Sequence, residues 1–184
     1  VDASFQALME AVTWKLIQAS EAAKGAAEGK PHGLWVRWQY ATLLMHAERH
    51  KEAIEQLEKV AQGAPDFADG LHRLGLAYLA AERPEAGISA LQRALSKGAG
   101  PAAARDLARA FLGRKLWAEA TTHLETVLRS DPGDAEALRL LGAAHYQLKR
   151  YRLAADTYRK AYRLQPQPRT LISAVIALQG ARAW

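Results

Sequence analysis

The stretch "LLGAAHYQLKRYRLAADTYRKAYRLQP" (residues 140–166) is rich in helix-forming residues, yet it places Gly142 inside its first helical segment. A glycine in a helix interior costs about 1 kcal/mol relative to alanine. The helical pattern continues beyond it through "AAHYQL" (143–148), so Gly142 does not mark a helix end. Its presence therefore indicates a position where a neighbouring helix passes too close for a side chain.

Gly142 belongs to a column of small residues that recurs along the chain. The column consists of Ala41, Gly75, Ala108 and Gly142, separated by steps of 34, 33 and 34 residues. A second column with the same steps consists of Ala53, Gly87, Ala120 and Ala154, and a third of Val60, Ala94, Val127 and Ala161. Columns that share one irregular step indicate an internal repeat of a single structural unit.

These columns resemble those of the tetratricopeptide repeat (TPR) family, whose 34-residue unit is a helix–turn–helix with a small residue in each helix. The resemblance is clearest at Leu74, Gly75 and Tyr78, which form a Leu-Gly-x-x-Tyr motif, and weakest in the first unit, where Arg37 stands at a usually apolar position. It implies an all-α fold, a right-handed α-solenoid of about four TPR units with an N-terminal helix and a C-terminal capping helix.

Three segments follow from this interpretation. They are an N-terminal helix and linker (1–30), four repeats within 34–166 (34–67, 68–100, 101–134 and 135–168), and a C-terminal capping helix (169–184). Residues 2–24 have the apolar spacing of an amphipathic helix, and "AAEGKPHG" (26–33) is typical of a linker. Asp66 and Asp134 suit N-caps, and helix breaks are predicted near "AERH", "AERP", "GRKL" and "LKRY".

The residue inventory argues against catalysis. The chain has no cysteine, so it offers no thiolate ligand or nucleophile. His46 and His50 share a helical spacing but lack a third ligand, and the glycine-rich "GAGP" (98–101) lacks the Lys-Ser/Thr of a phosphate loop. We therefore expect no catalytic residue, no metal and no cofactor. No membrane span is predicted, and the compartment stays open between the cytoplasm, which we favour, and the periplasm.

The net charge of +6 is local. Residues 135–169 contain eight Lys/Arg and two acidic residues, so the rest of the chain sums to zero. Much of this charge lies in "KRYRLAADTYRKAYR" (149–163), the second helix of the last unit. Such a helix is either a solvated face or a contact for anionic lipid, nucleic acid or an acidic protein surface.

The first helices of successive TPR units are expected to line a concave groove. Counting from the small-residue columns predicts groove residues Trp35, Trp38, His72, Arg73, Arg105, Arg109, Arg139 and Tyr146. The two tryptophans would anchor an apolar group, and the four arginines would converge on an acidic stretch or a C-terminal carboxylate. Alternatively, Asp69, Asp106 and Glu136 neutralise the arginines, and the tryptophans pack beneath the N-terminal helix.

The resemblance therefore implies a non-catalytic scaffold or adaptor that binds a protein or peptide, with a bacterial secretion or assembly chaperone as a narrower form. A nucleic-acid-binding helical solenoid is the main alternative, although the predicted groove residues are chemically mixed and do not form a recurring polar code. Self-association through the end helices is a further one.

Overall fold

The computed structural model describes residues 31–182, together with residues 7, 11, 12, 14 and 15. Residues 31–182 contain nine α-helices and no β-strand, which confirms the predicted all-α class. The helices are α1 (Pro31–His46), α2 (His50–Gly63), α3 (Ala68–Ala80), α4 (Pro84–Ser96), α5 (Pro101–Gly113), α6 (Trp117–Ser130), α7 (Ala135–Gln147), α8 (Tyr151–Leu164) and α9 (Pro168–Arg182). Most of the predicted N-terminal helix lies outside the described residues.

The chain divides into two compact units, Val1–Ala99 and Gly100–Trp184. In the first unit, α1 and α2 form one helix–turn–helix hairpin, α3 and α4 form the next, and α2 packs against α3. The fully buried leucines of this core are Leu44, Leu57, Leu71 and Leu91. Arg37 is buried as well, and its Nη1 donates a 2.7 Å hydrogen bond to Oε1 of Gln56, so a polar contact joins α1 to α2.

The second unit repeats this arrangement and adds one helix. Helices α5 and α6 form a hairpin, α7 and α8 form another, α6 packs against α7, and α9 packs against α8. Leu107 and Leu124 are fully buried, and Ala174 and Ala177 of α9 join a core cluster with residues of α8. Among the residues that the structure describes, no helix is both long and apolar enough to cross a bilayer.

The same backbone turn closes all four hairpins. Each turn has one non-glycine residue in the left-handed region, at φ between 57° and 60°: Glu48, Glu82, Lys115 and Lys149. The next residue donates its N–H to a carbonyl five positions earlier, as in Arg83 to Tyr78 at 2.8 Å, the longer bond of a Schellman helix end. The four predicted helix breaks are confirmed, and the turn recurs with the steps of the repeat.

The small residues lie where two helices of a hairpin meet. All eight members of the two columns, Ala41, Gly75, Ala108, Gly142, Ala53, Gly87, Ala120 and Ala154, are buried. A Cβ on Gly75 would lie 2.6 Å from Cγ of Leu91 and 3.1 Å from the carbonyl oxygen of Gly87. At Gly142 the space is filled by the Tyr158 ring, whose Cδ1 would lie 2.9 Å from an added Cβ.

Three local expectations need correction. Asp66 is not the N-cap of α3: Phe67 holds that position without a side-chain cap, and the Asp66 carboxylate instead pairs with Lys97 at 2.6 Å. Residues 31–33, assigned to the linker, are helical, because a proline is well tolerated in the first turn. Asp134 does cap α7, and its Oδ1 accepts from the Ala137 N–H at 2.9 Å.

Replacing Gly75 by alanine should lower the free energy of unfolding by about 1–3 kcal/mol, because overpacking against Leu91 outweighs the gain in helix propensity. Gly113 is the matched control, since an added Cβ there meets no atom within 4 Å. Gly113→Ala should leave stability unchanged or raise it by up to about 1 kcal/mol in urea unfolding. Equal effects of the two variants would contradict the close approach of α3 and α4.

His145 gives the fold a pH dependence. The residue is buried, and burial, reinforced by Arg150 and partly opposed by Glu125, lowers the pKa of its imidazole. The expected hydrogen bond is missing at Nδ1, which has no partner among the described residues. Because the unfolded chain binds the proton more readily, stability is complete above about pH 6.5 and falls as the pH drops below it.

His145→Phe, which places a residue of the Phe111 type in this column, should flatten the fall in stability between about pH 7.5 and pH 5. Urea unfolding across this range measures the slope. Part of the fall should remain, because burial also lowers the pKa of His123. An unchanged slope in the variant would show that His145 is not the residue responsible.

Candidate functional site

In the first unit, the structure brings Trp38 and Arg73 together. Cζ of Arg73 lies 5.7 Å from the centroid of the Trp38 ring, within the range of a cation–π contact. The Trp38 ring meets Phe67 edge to face, with centroids 5.7 Å apart. These contacts hold a tryptophan of α1 and an arginine of α3 side by side on adjacent first helices.

Trp35 lies one helical turn before Trp38 and is 57% exposed. This is unusual for a residue of its size, because a tryptophan is mostly buried unless its face serves a contact. His72, on α3 beside Arg73, is half-buried. The described part of the N-terminal segment contacts α1 through Trp14, whose ring centroid lies 5.7 Å from that of Tyr40.

In the second unit, Arg105 has a structural partner. Its Nη1 forms a charge-assisted hydrogen bond with Oδ2 of Asp134, whose side chain is only 4% exposed. The other carboxylate oxygen of Asp134 accepts from the Ala137 N–H at the start of α7. One carboxylate therefore caps α7 and ties it to α5.

Arg109 and Arg139 share a second acidic cluster. Nη1 of Arg109 donates to Oδ1 of Asp106 at 2.6 Å, and its Nη2 donates to Oε1 of Glu136 at 2.8 Å. Glu136 also pairs with Arg139, whose Nη1 donates to Oε1 of Gln167 at 2.7 Å. Arg109 is nevertheless 54% exposed, so its guanidinium remains open to solvent.

The three arginines of the second unit thus meet three carboxylates, and the cluster carries no net charge. The structure therefore favours the alternative in which acidic residues neutralise these arginines. Asp134 was predicted only as a cap, and its pairing with Arg105 depends on how α5 and α7 pack. Arg73 lies in the other unit and forms no ion pair with a described residue.

Tyr146, the last predicted groove residue, is partly buried by the core of its own unit. Its ring meets that of Tyr151 edge to face at 5.3 Å, and it packs against the cluster that contains Tyr158 and Ala174. Tyr146 therefore supports the junction of α7, α8 and α9, with only part of its ring available to a ligand.

The tetratricopeptide repeat model matches residues 72–121 and 105–167, which together make up just over half of the chain. The chain belongs to the tetratricopeptide repeat family. The paired helices, the small-residue columns and the recurring hairpin turn described above are the structural counterpart of that match. TPR proteins generally act as non-catalytic scaffolds for protein–protein interaction.

A curated relative is the cytochrome c-type biogenesis protein CycH of Pseudomonas aeruginosa, 29% identical over 129 residues. The match covers 68% of this chain and 32% of that protein. The chain thus spans about a third of the length of this relative.

Solved structures with the same fold include YrrB, described as a TPR protein with an unusual peptide-binding site, and several forms of MamA. YrrB is 20% identical, with a TM-score of 0.74 over 96% of this chain and 89% of its own. A MamA structure is also 20% identical, with a TM-score of 0.73 over 90% and 95% of the two chains. At these identities, the likeness concerns the fold alone.

Asp134→Ala should lower the free energy of unfolding by about 2 kcal/mol, because α7 loses its N-cap and Arg105 loses its partner. Asp131→Ala is the matched control: its exposed carboxylate accepts only the 3.0 Å bond from the Gly133 N–H, and we expect a loss within about 0.5 kcal/mol. Thermal unfolding of both variants measures the difference. Equal losses would mean that the Asp134 contacts contribute nothing specific.

Proposed function

We propose that this protein is a non-catalytic scaffold that binds a segment of another protein on the face formed by the first helices of its hairpins. The observation that carries the proposal is Trp35, a large aromatic side chain left 57% exposed one turn from the Trp38–Arg73 pair. An exposed aromatic next to an ordered cation is a favourable anchor for a peptide. Within this class we favour an assembly chaperone, and the printed name of the CycH relative suggests cytochrome c-type biogenesis as its setting.

The contacts of the first unit suggest the chemistry of the ligand. Trp35 and Trp38 offer apolar surface to a bulky side chain, and Arg73 offers a guanidinium to a carboxylate. Trp38 also has a buried Nε1 that lacks a hydrogen-bond partner among the described residues. We propose that the preferred segment has an apolar residue followed by an acidic side chain or a C-terminal carboxylate.

The arginines of the second unit are given a smaller share of this role. A ligand carboxylate would have to compete with Asp134 for Arg105 and with Asp106 and Glu136 for Arg109. Exchanging one carboxylate for another yields little free energy, whereas pairing a cation that lacks an acidic partner yields more. Arg73 is therefore the better candidate for recognition of an acidic group.

The nucleic-acid alternative is less well supported by the same contacts. Phosphate binding needs an excess of positive charge, and the arginine cluster of the second unit is electrically balanced. A steep decrease of RNA affinity with salt concentration, if observed, would revive that alternative.

Arg73→Glu should weaken binding of a peptide with an apolar residue before a free C-terminal carboxylate by about tenfold or more, since a charge-assisted contact is lost. The matched control is Arg93→Glu on the exposed face of α4. The same peptide with an amidated C-terminus should bind wild type weakly and be insensitive to Arg73→Glu. A library of such peptides, read by tryptophan fluorescence and anisotropy, provides the measurement.

Circular dichroism and unfolding should show that both variants fold as wild type does. Binding that is equal in wild type and Arg73→Glu would remove this arginine from the site. Equal binding in a Trp35→Ala variant would remove the aromatic anchor as well, and with it the proposed surface.

A further inference from the structure

Helix α9 occupies the place of the first helix of a further repeat. It begins 33 residues after α7, and its buried residues Thr170, Ala174 and Ala177 match Ala137, Leu141 and Ala144 of α7, also buried. The next face of α7, marked by Gly142, is covered by Tyr158 of α8. The corresponding face of α9 has no such cover among the described residues.

The side chains on this open face are large and apolar. Five of them, Leu171, Ile172, Val175, Ile176 and Leu178, are each between 40% and 57% exposed. At 100° per residue they occupy an arc of about 160°. The helix contains no acidic residue, and Arg169 and Arg182 lie near its two ends. A contiguous patch of this kind marks an interaction surface.

The open face is not shaped for a second TPR helix. Val175 stands 33 residues after Gly142, at the position that carries alanine or glycine in all four preceding repeats. A β-branched valine at that point would hold a second helix away from the distance at which α7 and α8 pack. The occupant must therefore tolerate a broad, convex, aliphatic ridge.

The neighbouring helix α8 supplies positive charge along the border of this ridge. Arg152, Arg159 and Arg163 lie within about 40° of one another on the helical projection. They border Ala155, which packs in one cluster with Ala174 of α9. All three arginines are exposed, and the single acidic residue of α8, Asp156, lies 3.7 Å from Arg159.

The basic face of α8 has two further features. Leu153 and Leu164 are each 53% exposed, so apolar side chains accompany the charges. A shallow depression of about 290 Å³ is lined by Leu153, Asp156, Thr157, Arg159, Lys160 and Arg163, which include three cations and one acid. Such a depression can receive an anionic group, such as a lipid phosphate.

Charge complementarity decides between the possible occupants. A second copy of this chain docked through the same face would bring two rows of arginines together, and like charges at an interface oppose association. An anionic bilayer accepts the aliphatic side chains at the depth of its acyl boundary and pairs the flanking cations with its headgroups. We propose that α8 and α9 form a surface that binds anionic phospholipid membranes.

The test is flotation of the full chain with vesicles of phosphatidylglycerol and phosphatidylcholine, compared with phosphatidylcholine alone. We expect binding to the anionic vesicles, weaker binding at high salt, and little binding to the neutral ones. Ile172→Gln with Ile176→Gln should reduce the partition coefficient at least about tenfold, since two buried aliphatic groups are lost. Leu116→Gln, at a similarly exposed leucine outside the patch, is the matched control.

A charge variant completes the design. Arg159→Gln with Lys160→Gln should weaken binding to anionic vesicles by about fivefold per charge and leave any binding to neutral vesicles unchanged. All substituted side chains are exposed, so circular dichroism should report a wild-type fold. Arg73→Glu should leave membrane binding unchanged, which separates this surface from the proposed peptide site.

Three outcomes would overturn the proposal. The first is failure of the wild-type chain to float with anionic vesicles. The second is equal binding by wild type and the Ile172/Ile176 variant. The third is concentration-dependent dimerisation in light scattering, without vesicle binding, that the same variant abolishes, because the occupant would then be a second copy of the chain.

Discussion

The close approach of the two helices in each hairpin is the constraint on which the rest of the structure depends. It is most severe between α3 and α4, where a Cβ added to Gly75 or Gly87 would lie 3.0–3.1 Å from the carbonyl oxygen of the other glycine. Neighbouring leucines fill the space that the missing side chains leave open, and this packing compensates for the lower helix propensity of glycine. Any larger residue would separate the helices and misplace the first-helix face on which the proposed site lies.

The same unit logic links stability to the candidate site. In the second unit, one buried carboxylate, that of Asp134, both caps α7 and holds Arg105 of α5. Arg109 and Arg139 are in turn positioned by Glu136, so the polar residues of this face form part of the architecture. In the first unit, Arg73 is held by the Trp38 ring. The two units thus use arginine differently, and this difference led us to assign ligand recognition to Arg73.

The positive charge of the chain serves a separate surface in this interpretation. It is concentrated in 135–169, yet Arg139, which belongs to the first-helix face, is neutralised by its neighbours. The excess that remains lies on α8, beside the aliphatic ridge of α9. A binding face in one part of the molecule and a basic, apolar end in another would allow a scaffold to hold a partner and a membrane at the same time.

The sequence by itself determined the class of fold, the two-helix unit and the hairpin breaks, because these depend on spacing along one chain. Columns of small residues at steps of 34, 33 and 34 identify a helix pair wherever they occur. About half of the site interpretation was also accessible: the positions of Trp35, Trp38 and Arg73 follow from helical periodicity alone.

Only the tertiary structure decided which side chains are available. Arg105 meets an aspartate 29 residues away, and Arg109 meets a glutamate 27 residues away, because side chains of α5 reach across to α7 and its N-cap. The pattern that predicted a C-terminal cap equally did not reveal that Val175 and its neighbours remain exposed. Periodicity specifies the face on which a residue lies, whereas exposure and pairing depend on which helix, if any, packs against that face.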